Sequence, residues 1–63
     1  MWQVVYISSE QVEITRIHEK MLGEGFLVKM EVLNDGRTVN YQLLVPLAEA
    51  GEALQLIEEE LEL

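Results

Sequence analysis

The sequence predicts an α+β fold with the element order β-α-β-β-α, and three observations support this prediction. The chain opens with a short uncharged run of β-branched and aromatic residues, which is typical of a strand. Two later segments space their apolar residues by three and four, as amphipathic helices do. Between them, two alternating stretches flank an Asn-Asp-Gly turn, which is typical of a β-hairpin. Because 63 residues suffice for one domain at most, we expect a single α+β domain over residues 1–63.

The first strand is predicted at residues 2–7, which contain no charge and no proline. Side chains of a strand alternate between its two faces, so one of two pairs must face the core. Either Val4 with Tyr6 or Val5 with Ile7 could do so, and the pattern leaves both alternatives open.

A helix is predicted over residues 8–22, where apolar residues recur at helical spacing. Ser8 would be its N-cap, with Gln11 three residues later as in a capping box. Gly23 or Gly25 would end the helix. One stripe is predicted to face the core and consists of Ile14, Ile17 and Met21.

The hairpin is predicted to join a strand at residues 26–33 to a strand at residues 38–45. Its turn, residues 34–37, contains the residue types that tolerate a positive φ. One face of each strand is apolar and is expected to turn inward: Phe26, Val28, Met30 and Val32 in the first strand, and Val39, Tyr41, Leu43 and Val45 in the second.

A second helix is predicted over residues 46–61, with Pro46 at its first position, where a missing N–H costs nothing. Its apolar residues follow a 3-4-3-4 spacing, which predicts a buried stripe of Leu47, Ala50, Leu54, Ile57 and Leu61. Together these patterns predict a core that contains Ile14, Ile17, Val28, Met30, Tyr41, Leu43, Leu54 and Ile57.

The predicted sheet is three-stranded and mixed, with strand order 1-3-2 and both helices on one face. A helical crossover makes strands one and two parallel, and the hairpin makes strands two and three neighbours. Lys29 and Glu31 suit an edge strand, whereas the uncharged third strand suits the centre. The resulting fold is ferredoxin-like but lacks the last strand.

The charge of the chain is negative and uneven, which bears on its partners. Residues 1–45 carry six acidic and four basic side chains, whereas residues 46–63 carry six acidic side chains and no basic one. The net charge of −8 argues against nucleic acid and anionic membranes as partners, and is compatible with a basic protein partner. No apolar run approaches the roughly 20 residues that span a bilayer, and we see no signal peptide. We therefore expect a cytoplasmic protein.

No arrangement of residues predicts catalysis, a cofactor or a metal. His18 has no evident nucleophile or orienting partner, and Ser8 lacks the glycines of a nucleophile elbow. The acidic run at residues 58–60 lacks the alternating ligands and glycine bend of a calcium loop. We predict a protein that is not an enzyme, with no catalytic, cofactor-binding or metal-binding residues.

Two segments resemble a pattern found in small bacterial proteins. One is Arg-Ile-His-Glu-Lys-Met-Leu-Gly-Glu-Gly-Phe-Leu-Val-Lys at residues 16–29, and the other is Leu-Leu-Val-Pro at residues 43–46, followed by an acidic helix. The chain resembles uncharacterised domains labelled putative signal-transducing proteins, whose fold is related to the PII-like regulators. The resemblance implies a cytoplasmic regulatory or interaction module, without functional residues to carry over.

A homodimer assembled through the sheet is predicted. A domain of this size buries only about 60% of its unfolded surface, and no cysteine is present for a disulfide, so a partner subunit would support it. The first strand is an edge without charge or proline, and the helix-free face is apolar. The predicted interface consists of Trp2, Val4, Tyr6, Leu27, Leu33 and Leu44. Edge pairing and face-to-face stacking both stay open.

The function predicted from these features is that of a small non-enzymatic regulatory or protein-interaction module that acts as a homodimer. The alternative is a small-molecule or metal-ion sensor that binds its ligand at the dimer interface. Neither hypothesis identifies the natural partner, the ligand or the pathway.

Overall fold

The element order predicted from the sequence is confirmed. The computed structural model describes residues 1–62, which contain three strands and two α-helices. These elements are β1 (Trp2–Ser8), α1 (Gln11–Gly23), β2 (Lys29–Asn34), β3 (Val39–Pro46) and α2 (Ala50–Leu61), with one 3₁₀ turn at Leu47–Glu49 directly before α2.

The predicted strand order is also confirmed, with β3 between β1 and β2. Both neighbours of β3 are antiparallel to it, so the sheet formed by the described residues is antiparallel rather than mixed. The prediction of a mixed sheet is wrong because β1 and β2 are separated by β3 and do not pair, although they run in the same direction.

The core lies between the sheet and the two helices of residues 1–62. Its buried members are Val5, Ile14, Ile17, Met21, Leu43, Val45, Ala53 and Ile57. Four residues of the predicted core are therefore buried: Ile14, Ile17, Leu43 and Ile57. Three more pack against the core while only partly buried: Val28, Met30 and Tyr41.

The predicted burial of Leu54 is wrong. Leu54 is 48% exposed, whereas Ala53 is completely buried. The 3-4-3-4 spacing centres the stripe near Leu54 and Leu61, which are both exposed. Within α2, Ala53 and Ile57 lie four residues apart and are both buried, whereas Leu54 lies at the border of that buried side. Helix α2 turns Ala53 and Ile57 toward the sheet, and the small alanine lets the helix backbone come close.

A bulge in β1 decides which of its side chains face the core. Val4 lies opposite Leu44 and Tyr6 lies opposite Leu43, so Val5 is an extra residue on β1. A bulge interrupts the strict alternation of a strand. Both Val5 and Tyr6 therefore contact the core, and neither of the two predicted pairs is the inward one.

Helix α1 begins later than predicted, so Ser8 is not its N-cap. Ser8 is the last residue of β1, and the N-cap of α1 is Glu10, which makes no side-chain capping bond. The C-terminal end follows the glycine prediction. Gly25 has φ +91°, its N–H donates to the Leu22 carbonyl at 3.0 Å, and the Phe26 N–H donates to the Met21 carbonyl at 3.1 Å. This pair of bonds is a Schellman motif.

The hairpin turn forms where it was predicted. Asp35 Oδ1 accepts from the N–H groups of Arg37 and Thr38, both at 2.9 Å, and Gly36 has φ +89°. Strand β2 starts at Lys29 rather than Phe26, since the same register would place residue 27 opposite Pro46, which has no N–H.

The inward face of the hairpin is less buried than predicted near the turn. Val32 and Val39 share this face with Tyr41 but are exposed. The helices pack on β1 and β3 and make little contact with β2, so the turn end of the hairpin projects beyond them.

Candidate interaction surface

A small polar cluster joins the end of β1 to the first turn of α1. One oxygen of Glu13 accepts a hydrogen bond from the Tyr6 hydroxyl at 2.7 Å and a second from the Ser8 hydroxyl at 2.9 Å. The Ser8 hydroxyl oxygen in turn accepts from the Glu10 N–H at 3.0 Å. Tyr6 and Ser8 both lie on the helix side of β1, since Leu43 and Tyr41 opposite them face the helices.

This cluster favours a charged carboxylate beside neutral hydroxyls. The hydrogen bond from Tyr6 is the largest cause that lowers the pKa of Glu13, followed by the bond from Ser8. Burial, and then the bond to Glu13, raise the pKa of Tyr6 above its ordinary value. Both hydroxyls donate to a carboxylate that holds its negative charge, so Glu13 fixes the start of α1 on β1.

We expect Tyr6→Phe to raise the pKa of Glu13 toward its ordinary value, because the variant removes the stronger donor. Ser8→Ala should raise it less. A carboxylate whose pKa is lowered in the folded state stabilises that state above its unfolded pKa, about 4.3. That contribution is lost as the pH falls through the folded pKa. An NMR titration of the Glu13 carboxyl carbon measures the shift, and an unchanged pKa in Tyr6→Phe would contradict this assignment.

The residues predicted to form an interface do not gather on one surface. Register with β3 places Trp2, Val4 and Leu44 on the helix-free face, and Leu33 shares that face on β2. Tyr6 lies on the opposite face, against the core. Leu27 is exposed but lies in the segment between α1 and β2, outside the sheet.

The helix-free face is more covered and more polar than the sequence indicates. Leu44 at its centre is only 7% exposed. The Lys29 ammonium lies 5.1 Å from the centre of the Trp2 ring, although β3 separates their strands, so the two side chains meet above β3. Glu31 lies 3.4 Å from the same ammonium and accepts a 2.8 Å hydrogen bond from Gln42.

A second apolar surface, which was predicted to lie in the core, runs along the 3₁₀ turn and α2. Leu47, Leu54 and Leu61 are seven residues apart, about two helical turns, and all three are exposed. We call these three residues the leucine stripe. The heptad spacing was the available signal, but it was interpreted as the buried face.

The leucine stripe lies on the flank of α2 that is turned away from α1. Glu60 points toward α1, where its carboxylate is 2.9 Å from the Arg16 guanidinium. On a helical wheel the buried Ala53 and Ile57 lie between Glu60 and Leu54. The stripe is therefore beside the buried face, on the side opposite α1.

The edge strand β1 runs along this same flank. The Leu47 N–H donates to the Met1 carbonyl at 2.9 Å, so α2 starts beside the start of β1. Helix α2 ends near Arg16 in α1, which follows the end of β1. Helix α2 also packs directly on β1. The unpaired side of β1 and the leucine stripe together form one surface, which we call the β1–α2 flank.

The outer surface of α2 is acidic. Glu49, Glu52 and Glu59 line a shallow depression that Glu24 closes from the end of α1. Phe26 and Leu56 contribute apolar atoms to its floor. Among residues 1–62, no group of three or more histidine, cysteine or acidic side chains is arranged to hold a metal ion.

No family model, curated protein or solved structure matches this chain. The resemblance to PII-like regulators therefore stays a prediction. Over the described residues, neither helix has the length and apolar character needed to cross a membrane.

Proposed function

We propose that this protein is a small non-enzymatic interaction module with a regulatory role, and that it acts as a homodimer. The observation that carries the proposal is the β1–α2 flank, where an uncharged edge strand lies beside three exposed leucines. Unprotected strand edges and clustered exposed apolar side chains both mark interaction surfaces. A small domain that leaves both on one side gains stability when a partner covers them.

The position of charged groups favours the β1–α2 flank over the helix-free face as the dimer contact. Stacking would have to displace Lys29 and Glu31, whose charges meet over the middle of that face. Covering charged groups with an apolar surface costs free energy unless each finds a new partner. The leucine stripe presents no such obstacle, because its exposed side chains gain by burial.

The test is the mass of the protein in solution at micromolar concentration. The chain has a mass of 7.2 kDa, and we expect light scattering or sedimentation equilibrium to give twice that value. A mass that stays at the single-chain value up to high micromolar concentration would reject the homodimer.

Salt dependence separates self-association from binding of a basic protein. Each chain carries a net charge of −8, so two copies repel, and added salt should strengthen the dimer by screening that repulsion. A basic partner on the acidic outer surface of α2 should instead dissociate as salt is added. A regulatory module of this kind can bind such a basic protein as a partner besides its own second copy.

A further inference from the structure

We infer that a second copy of this chain docks on the β1–α2 flank, with its β1 antiparallel to this one, around a two-fold axis near Val5 and Leu54. The inference rests on the proposed homodimer and specifies its surface and register. Antiparallel docking brings the two leucine stripes together. Leu54 would then meet Leu54 of the partner subunit, and Leu47 would meet Leu61 of the partner subunit.

The strand and the helix of the flank have nearly the same length. The flank is also nearly symmetric about its middle, as a two-fold contact requires. The seven residues of β1 extend over about 20 Å at the usual rise per residue. The twelve residues of α2 extend over about 18 Å. Val5 is the middle residue of β1, and Leu54 is the middle residue of the leucine stripe.

Strand and helix spacings agree with simultaneous contact in both layers. Two paired strands lie about 4.8 Å apart, so each β1 would be about 2.4 Å from the axis and each β3 about 7 Å. Helix α2 packs on β1 and β3, which places it about 5 Å from the axis. The two copies of α2 would thus be about 10 Å apart, a normal distance for packed helices.

The area of the flank comes close to the lower limit for a specific dimer contact. The shortest extent of the fold between Cα atoms is 16 Å, and side chains add about 3 Å on each surface. With a length of about 20 Å, the flat projection is roughly 450 Å² per subunit. Accessible area exceeds a flat projection, so the total approaches the lower limit of about 1,000 Å² for a specific interface.

The charges and the bulge are compatible with this register. Glu58 borders the leucine stripe, but the antiparallel arrangement sets it opposite Ala50 of the partner subunit rather than opposite its own equivalent. The bulge at Val5 lies on the axis, and bulges discourage pairing at strand edges. Main-chain pairing would use the residues on either side of it, and Leu54 would supply the central contact.

Site-specific crosslinking tests the register, because the natural chain contains no cysteine. The Leu54→Cys variant, treated with a short bismaleimide, is expected to give a covalent dimer. A mixture of Leu47→Cys and Leu61→Cys should crosslink between the two variants. Neither variant alone should do so efficiently, since two equivalent positions would lie about 21 Å apart.

The matched control is Val12→Cys, on the outer face of α1, where Val12 is 84% exposed. It should react with the reagent but give no more covalent dimer than random collision. Equal crosslinking at positions 12 and 54 would overturn the inference. Crosslinking of Leu47→Cys with itself, but not with Leu61→Cys, would overturn the antiparallel register.

A charge substitution provides a second test that does not depend on crosslinking. Leu54→Glu should weaken dimerisation at least about tenfold, because it places a carboxylate on the axis beside its equivalent. Val12→Glu should leave dimerisation unchanged. Circular dichroism checks that both variants fold. If Leu54→Glu does not fold, the crosslinking result tests the inference instead.

The two proposals fail in different ways. A parent protein with the mass of a single chain rejects the homodimer itself. A parent protein of twice that mass, whose dimerisation is unaffected by Leu54→Glu and which does not crosslink at position 54, rejects only this surface and register. Weakening by Leu33→Glu in place of Leu54→Glu would assign the contact to the helix-free face.

Discussion

Replacing Ile17 with alanine is expected to destabilise the protein by about 2–5 kcal/mol, because it removes buried methyl groups and leaves a cavity. Ile17 is almost completely buried between α1 and the sheet. A domain of 63 residues has a total stability of roughly 3–9 kcal/mol at the usual value per residue. The variant should therefore lose a large part of its stability and unfold at a clearly lower urea concentration than the parent. Urea unfolding followed by circular dichroism measures the difference.

The matched control for this prediction is Val12→Ala on the same helix. Val12 also loses methyl groups in this change, but its side chain lies in solvent. Exposed substitutions of this kind stay within about 0.5 kcal/mol, and alanine is the better helix former. If Ile17→Ala unfolded at the same urea concentration as Val12→Ala, Ile17 would not be a core residue.

The second large effect is expected from Ala53→Leu, which should destabilise the protein by about 1–3 kcal/mol through overpacking. Ala53 is completely buried where α2 meets the sheet. A leucine there has to push the helix away from β1 and β3 or adopt a strained rotamer. Thermal unfolding should show a lower midpoint for the variant than for the parent.

Ala48→Leu controls for the added side chain itself. Ala48 is exposed in the 3₁₀ turn before α2, so leucine there has no neighbour to displace. A normal midpoint for both variants would mean that α2 can move away from the sheet without loss. That outcome would contradict the close packing assigned to Ala53.

The features that sequence reasoning recovered are those that local patterns determine. The element order follows from apolar periodicity, and the hairpin follows from Asn34, Asp35 and Gly36, whose side chains and backbone form the turn by themselves. Strand order followed from the placement of Lys29 and Glu31, which belong on an edge. Each of these inferences used residues close together in the chain.

The errors arose where the phase of a pattern depends on its surroundings. A single extra residue at Val5 changed which side chains of β1 face inward, and the run of apolar residues from Trp2 to Ile7 looks the same with or without a bulge. The buried side of α2 is likewise one residue away from its predicted position, at Ala53 instead of Leu54. The β1–α2 flank was missed for this reason, because an exposed leucine stripe and a buried one have the same spacing.

The pairing of β1 with β3 has a consequence for the order in which this chain can fold. Trp2 lies opposite Pro46, so the first strand finds its place only after most of the sequence has been synthesised. The hairpin and both helices need only nearby residues, whereas closing this long loop carries the largest loss of chain entropy. The only tryptophan of the chain sits at that junction beside Lys29. We therefore expect its fluorescence to follow the docking of β1 on the hairpin rather than the formation of the hairpin itself.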